Sequence, residues 1–372
     1  MEHRPHIVTL IESAAGGQIM GHDRLAASLA VAMHDGVAAE VTFVGLPPLR
    51  PVGAAAVRGV PGLNRLDLDL QATRWHLLQS ARARRVLRKA LRERLADAAL
   101  VMSHAIALLV DGLPIPVVPS VDIPIWDWRA MGIWRPVRVH SRRMLGASLA
   151  LERRALSRAP LVHAWSEWTE RRVLAAAPGA RTFAVHPGVD LDRYRPAERM
   201  SRDRPRVLFV GGRFALKGGR DLIAALDPLL GADVELDVVT PVDVPPRPGL
   251  RVHRLGADDP ALVALFQQAD VLCLPTYGDA VPLVIVEAMA CGTPVVASDV
   301  GAIAELLEGE RAGVLVRPGD VEGLRARLVE LLGDPERRAA LGEHGRARCV
   351  ERYDARRQGP EILARVVGVA RG

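Results

Sequence analysis

Cysteine is scarce, and so are the signatures that would place the chain in a membrane or a secreted scaffold. Three cysteines, Cys273, Cys291 and Cys349, are spread over 372 residues in apolar or helical contexts. Their spacing offers neither a disulfide framework nor a zinc site. No run of eighteen uninterrupted apolar residues occurs, so a membrane-spanning helix is not expected. The opening MEHRPHIVTLIE contains a strand-like run without the length or cleavage site of a signal peptide, and a cytoplasmic location is expected. Internal repeats and low-complexity tracts are missing. No GxGxxG follows the first apolar run, which counts against a dehydrogenase.

What is present is globular material in quantity. Hydrophobic residues make up 49% and charged residues 25% of the chain, enough for two cores of ordinary domain size. The formal charge of +6 is unevenly spread. ARARRVLRKALRER (residues 81–94) and the arginines between Arg129 and Arg158 make the first half basic. Peripheral contact with a membrane surface or a lipid phosphate is therefore a candidate role for that half, although Ala83, Leu87, Ala90, Leu91 and Leu95 form the stripe of an ordinary packed helix. Nucleic acid is not expected as a partner.

Apolar, β-branched runs alternate with helix-length amphipathic segments, the pattern of βαβ units with parallel sheets covered on both faces. The expected class is α/β with two Rossmann-like doubly wound domains facing a cleft. In the first half, strands are predicted near 6–11, 41–46, 100–103 and 161–164, with long helices around 75–95 and 139–156. A second series runs through 206–210, 235–239, 271–274, 295–298 and 313–316. HPGVDLDRYRPAERMSRDRP, between the two series, reads as an interdomain linker. The expected domains are 1–188 and 189–352, with the last segment, from 353, returning to the first. LDLDL (residues 66–70) fits an alternating strand with exposed acids better than a metal site.

The most informative stretch is PTYGDAVPLVIVEAMACGTPVVASDVGA, residues 275–302. It sets Asp279 in a loop eight positions before Glu287 in a largely apolar helix. A carboxylate in such a helix needs hydrogen-bond donors, which ribose hydroxyls supply. A second stretch, VLFVGGRFALKGGRDLIAAL, turns tightly after a strand at Gly211 and Gly212. Arg213 and Lys217 then offer positive charge beside a helix amino terminus, where a diphosphate would sit. It is not a P-loop, because Lys217 precedes Gly218 instead of following a glycine and leading into Ser or Thr. Gly16 and Gly17, after the first strand, are read as opening a helix and permitting close approach of a phosphate. Trp126, Trp128 and Trp134 are candidates for an aromatic wall or for interhelical packing.

These segments resemble the retaining GT-B glycosyltransferases of the family-4 type, also called glycosyl transferases group 1. Their signature is an acid, seven residues and a second acid, usually close to EGFPLVLLEAMACGTPVVAS. Here Asp279 stands where Glu is common, and Ala280 and Val281 stand where Gly and Phe are usual. The resemblance implies that Glu287 binds the ribose, and that Asp279 with the backbone of Ala280, Val281, Pro282 and Leu283 holds the donor sugar. It implies that Gly16, Gly17, Gly212, Arg213 and Lys217 surround the diphosphate. Leu255 flanks the nucleobase and His104 faces the reacting sugar on the same grounds. The implied activity is retaining, metal-independent transfer of a sugar from a UDP-, GDP-, ADP- or dTDP-sugar to an acceptor hydroxyl, without a cofactor. An epimerase or phosphorylase on the same scaffold, or a noncatalytic partner subunit that binds the nucleotide sugar, is the alternative.

Overall fold

The computed structural model describes residues 5–14, 17–18, 20–34, 39–47, 51–66, 68, 70–93, 96–103, 106–132 and 143–371. Two compact units are formed, one from residues 1–188 with 355–372 and the other from 189–354. Among the described residues no helix is long and apolar enough to cross a membrane.

The amino-terminal unit is built on β1 (His6–Ala14), β2 (Gly17–Gln18), β3 (Glu40–Leu46), β4 (Ala98–Met102), β5 (Val117–Val121), β6 (Val162–Ala164) and β7 (Thr182–Ala184). Six strands run parallel in the order β3-β1-β4-β5-β6-β7, and β2 pairs antiparallel with the end of β1. All five residues of β4 and of β5 are buried, as expected for parallel strands covered on both faces. β5 was not legible because Pro119 interrupts the run. The structure tolerates it because β6 pairs with β5 only from Ser120 onward, leaving Pro119 beside β4 alone.

Two sequence-based readings in this unit need correction. Gly17 does not open a helix: it lies in β2, opposite Ala14, and the helix starts at Met20. Gly16 lies outside the described residues. In the segment 66–70, the described residues Leu66, Leu68 and Leu70 belong to no strand. Leu66, Leu68 and Leu70 are exposed between two helices, Pro61–Arg65 and Gln71–Glu93, and Asp67 and Asp69 lie outside the described residues. Of the helix expected over 139–156, residues 139–142 lie outside the described residues; Arg143 and Met144 are helical, Leu145 is a turn, and the helix Gly146–Arg158 covers the rest.

A buried polar network ties β5, β6 and the segment after β7. His163 Nε2 lies 2.7 Å from the Val185 carbonyl, which can only accept, so that nitrogen carries the proton. Nδ1 then accepts from Ser120 Oγ at 2.9 Å, and the Trp165 indole donates to the same hydroxyl at 2.8 Å. Burial lowers the His163 pKa to about 4, against a weaker upward pull from the Val185 hydrogen bond. Burial and the charge of His163 lower His186 to about 3. Sealed at 1% and 0% exposure, the Ser120–His163 pair braces the sheet.

The carboxyl-terminal unit holds β8 (Arg206–Val210), β9 (Glu235–Val239), β10 (Leu250–His253), β11 (Val271–Leu274), β12 (Val295–Ser298) and β13 (Gly313–Val316). All run parallel in the order β10-β9-β8-β11-β12-β13. Apart from β10, these strands coincide with the sequence-based ranges. Helix starts follow from capping: Asp259, Asp320 and Asp334 each accept a backbone N–H, two of them with Pro as the next residue.

The presumed linker is mostly fastened to this unit. Tyr194 is 1% exposed and meets Phe266 edge-on, while Arg199 and Arg202 donate to the carbonyls of Gly292 and Gln268 at 2.9 and 2.8 Å. Polar anchoring of this kind leaves no apolar periodicity to read. After Asp354 the chain re-enters the first unit, where helix Ala355–Arg371 packs on helix Met20–His34.

The two buried histidines make the amino-terminal unit acid-sensitive. Both stay neutral in the fold, while the unfolded chain takes up protons near pH 6.5, so stability is present above 6.5 and is lost as pH falls toward 4. For His163 the full loss is about 3 kcal/mol. Urea unfolding at pH 7.5 and pH 5 should show a clear drop above the carboxylate range; equal stabilities would contradict it.

Candidate functional site

In a parallel sheet every strand ends on the same edge, and ligands of doubly wound sheets bind there, where the order of connections reverses. In the carboxyl-terminal unit that point lies between β8 and β11, because the chain moves from β8 out to β10 and then returns to β11. The loops after these two strands carry Arg213, Lys217 and Asp279. Leu255 follows β10 on the same edge and is half-buried.

The loop after β8 is shaped by glycines with different duties. At Gly218, φ is +77° and an added Cβ would lie 1.9 Å from the Pro275 carbonyl oxygen. At Gly219 it would lie 2.2 Å from the Phe214 ring, and at Gly211 2.9 Å from Phe209. Packing therefore demands these three. Gly212 is different: it is exposed and a Cβ there meets nothing within 4 Å. Its small size serves no internal contact, and the space it leaves lies open at the sheet edge.

Lys217 joins the two loops. Its ammonium is ion-paired with Asp279 Oδ2, both side chains being about four-fifths buried at 21% and 17% exposure. Backbone bonds reinforce the joint, with Tyr277 N–H donating to the Leu216 carbonyl at 2.9 Å and Thr276 Oγ1 to the same oxygen at 3.2 Å. Arg213 is exposed and makes no ion pair or side-chain hydrogen bond among the described residues; partial burial lowers its guanidinium pKa from the ordinary value. It stays charged at neutral pH. Lysine is itself notable here: Lys89 and Lys217 are the two lysines among forty-nine basic side chains. A compact ammonium suits a point contact that must fit between two loops.

The helix Leu283–Ala290 starts directly behind this joint. No side chain caps its amino end, nor that of helix Gly219–Leu226, so both present backbone N–H groups free of side-chain capping at the switch-point edge. Ala280, Val281 and Pro282 are buried in the approach, and Leu283 is half-buried. Glu287, 4% exposed, sits one turn along, about 6 Å up the axis from Leu283. The structure thus brings Lys217 and Asp279 into contact and sets Arg213 on the same loop. Glu287 is buried on the helix that begins behind them.

Two contributors escaped the sequence reading. Gly301, at φ +60°, approaches so closely that a Cβ would lie 2.1 Å from the Asp279 carbonyl oxygen, and Ala302 N–H donates to the Ala280 carbonyl at 2.8 Å. The loop after β12 thereby fixes the backbone around Asp279. Tyr277 donates to Asp221 Oδ2 at 2.5 Å, locking the first turn of helix Gly219–Leu226. A glycine three residues after an apolar strand was the available signal for the first. The partner of Tyr277 lies 56 residues away and had none.

His104 lies outside the described residues. Its neighbour Ser103, at the carboxyl end of β4, has φ 103°, a strained value for a residue with a Cβ, of the kind that clusters at functional sites. Trp126 and Trp128 are half-buried on a short helix, Ile125–Ala130, and Trp134 lies outside the described residues.

Two Rossmann-like units with these sheet orders define a GT-B fold. Sucrose-phosphate synthase from Thermosynechococcus elongatus superposes with a TM-score of 0.75 at 18% identity, over 99% of this chain and 100% of that one. The E. coli structure described as trehalose-6-phosphate bound with UDP-2-fluoro glucose gives 0.71 at 13% identity, over 97% and 98%. Residues 204–334 match the profile of the family described as Glycosyl transferases group 1. An MMP alpha-(1->4)-mannosyltransferase of Mycolicibacterium hassiacum is 36% identical over 230 residues, 52% of this chain and 55% of that protein. D-inositol 3-phosphate glycosyltransferase 2 of Catenulispora acidiphila is 34% identical over 202 residues, 46% and 47%. The chain thus spans about half the length of these relatives.

The glycine duties separate by mutation. Gly218→Ala is expected to destabilise the carboxyl-terminal unit by about 2 kcal/mol or more, and Gly212→Ala by less than about 0.5 kcal/mol. Denaturant unfolding of both variants checks this; equal losses would contradict it.

Proposed function

We propose that the chain transfers a sugar, with retention of anomeric configuration and without a metal, from a nucleotide-diphosphate sugar to an acceptor hydroxyl. The observation that carries the reading is the Lys217–Asp279 joint at the β8/β11 switch point, with the exposed Arg213 on the same loop and two uncapped helix amino ends at the same edge. Cations and backbone N–H groups in that arrangement suit a diphosphate. The UDP-sugar complex of a protein of the same fold supports a nucleotide-sugar donor.

In this reading the β-phosphate lies against Lys217, Arg213 and the amides beside Gly212. Glu287 accepts from the ribose hydroxyls, and Leu255 borders the base. Departure of the nucleoside diphosphate leaves two negative charges on the phosphate, and preorganised cations stabilise that change more than they stabilise the ground state. The leaving phosphate oxygen takes the proton of the attacking hydroxyl on the face from which it departs, which accounts for retention without a carboxylate nucleophile. Asp279 holds Lys217 in place, and the backbone of Ala280 to Leu283 faces the sugar.

A panel of UDP-, GDP-, ADP- and dTDP-sugars, scored for binding and slow donor hydrolysis, tests the reading. One donor should be bound and hydrolysed in the presence of a chelator, and Lys217→Ala should slow turnover by about 10²- to 10³-fold. Turnover that needs a divalent cation, or a Lys217→Ala enzyme within about threefold of the parent, would contradict it.

A further inference from the structure

The amino-terminal unit carries a concentration of positive charge that this chemistry does not use. On helix Gln71–Glu93, Arg84, Arg88 and Arg92 recur every four residues and Arg85 lies three before Arg88, so that the four line one side of the helix. With Ala81, Leu91 and Pro114 they line a hollow of about 550 Å³. An adjoining hollow of about 720 Å³ shares Arg84 and adds Arg154, Arg158 and Asp111. Both volumes fall in the range of small-molecule sites.

The walls are held in place. Arg84 donates to the carbonyls of Leu109 (2.6 Å) and Asp111, which fixes the loop opposite the helix. Arg154 and Arg158 converge on Asp111 Oδ2 at 2.9 and 3.5 Å. Arg85, Arg88 and Arg92 are exposed and make no ion pair or side-chain hydrogen bond among the described residues. Six guanidinium groups therefore face one carboxylate. Attraction to the helix dipole explains a cation in the last turn, such as Arg92, but fades before Arg84, Arg85 and Arg88. An anion of more than one charge, bound among them, would offset their mutual repulsion more fully than solvent screening does.

Position separates the groove from the edge where sugar chemistry is expected. The helix leads into the amino end of β4, the loop 110–116 into that of β5, and Ala159 and Pro160 into that of β6. The groove thus lies at the amino ends of the strands, opposite the carboxyl edge. Its concavity suits a discrete ligand. A bilayer would need exposed apolar side chains beside the arginines; Leu91 there is half-buried, and Leu63, Leu66, Leu68 and Leu70 are exposed only before the other end of the helix, some 15 residues or roughly 20 Å from Arg85.

We infer that this groove is a binding site for a small polyvalent phosphate, of the pyrophosphate class, separate from any nucleotide held by the carboxyl-terminal unit. The inference does not rest on the transferase reading.

Calorimetric titration with inorganic pyrophosphate tests it on the parent chain, Arg85→Ala/Arg88→Ala, Arg85→Lys/Arg88→Lys and Lys217→Ala. Saturable binding should weaken at least about tenfold in the alanine pair, recover partly in the lysine pair and stay within about threefold in Lys217→Ala. A parallel arm measures sedimentation with phosphatidylglycerol vesicles. Unchanged affinity in the alanine pair, or loss of binding in Lys217→Ala, would overturn the proposal. So would vesicle capture that needs Arg85 and Arg88 without saturable pyrophosphate binding.

Discussion

The ion pair between Lys217 and Asp279 is the contact on which the candidate site depends. It closes the gap between two strand-end loops at the one place where a doubly wound sheet reverses its order of connection. A largely buried pair of this kind is weak evidence for stability, since desolvation offsets much of the attraction. Its effect is positional. It holds an ammonium at the sheet edge next to uncapped helix amino ends, with backbone contacts from Leu216, Tyr277, Gly301 and Ala302 leaving both loops little freedom.

The pairing also gives the unusual acid a physical meaning. A Glu in place of Asp279 would extend one methylene further from the backbone that Gly301 and Ala302 fix. The shorter side chain is engaged by Lys217, and under the proposed function this places the carboxylate in the service of the cation proposed to hold the phosphate. In that proposal, contact with the sugar is left to the backbone of the following residues, whose carbonyl and amide directions are set by the start of helix Leu283–Ala290.

Legibility followed burial. β8, β11, β12 and β13 were readable to the residue because parallel strands buried on both faces leave largely apolar runs, and β9, ELDVV, was readable despite Asp237 because Leu236, Val238 and Val239 surround it. β5 was hidden by Pro119. The fastening of residues 194–202 rests on arginine-to-carbonyl bonds, and the true place of Gly17 on an antiparallel turn-back; neither leaves a periodic trace. Within the site, residue types and loop positions were legible, while the partnership of Lys217 with Asp279 was not. The two lie 62 positions apart, and a charge pair has no periodicity to betray it.

The most direct test of the account is a structure of the chain with its nucleotide diphosphate bound. The account predicts the β-phosphate within about 4 Å of the Lys217 ammonium, over the open space at Gly212, with the ribose hydroxyls on Glu287. A nucleotide seated away from the β8/β11 loops, with the Lys217–Asp279 pair untouched, would contradict it.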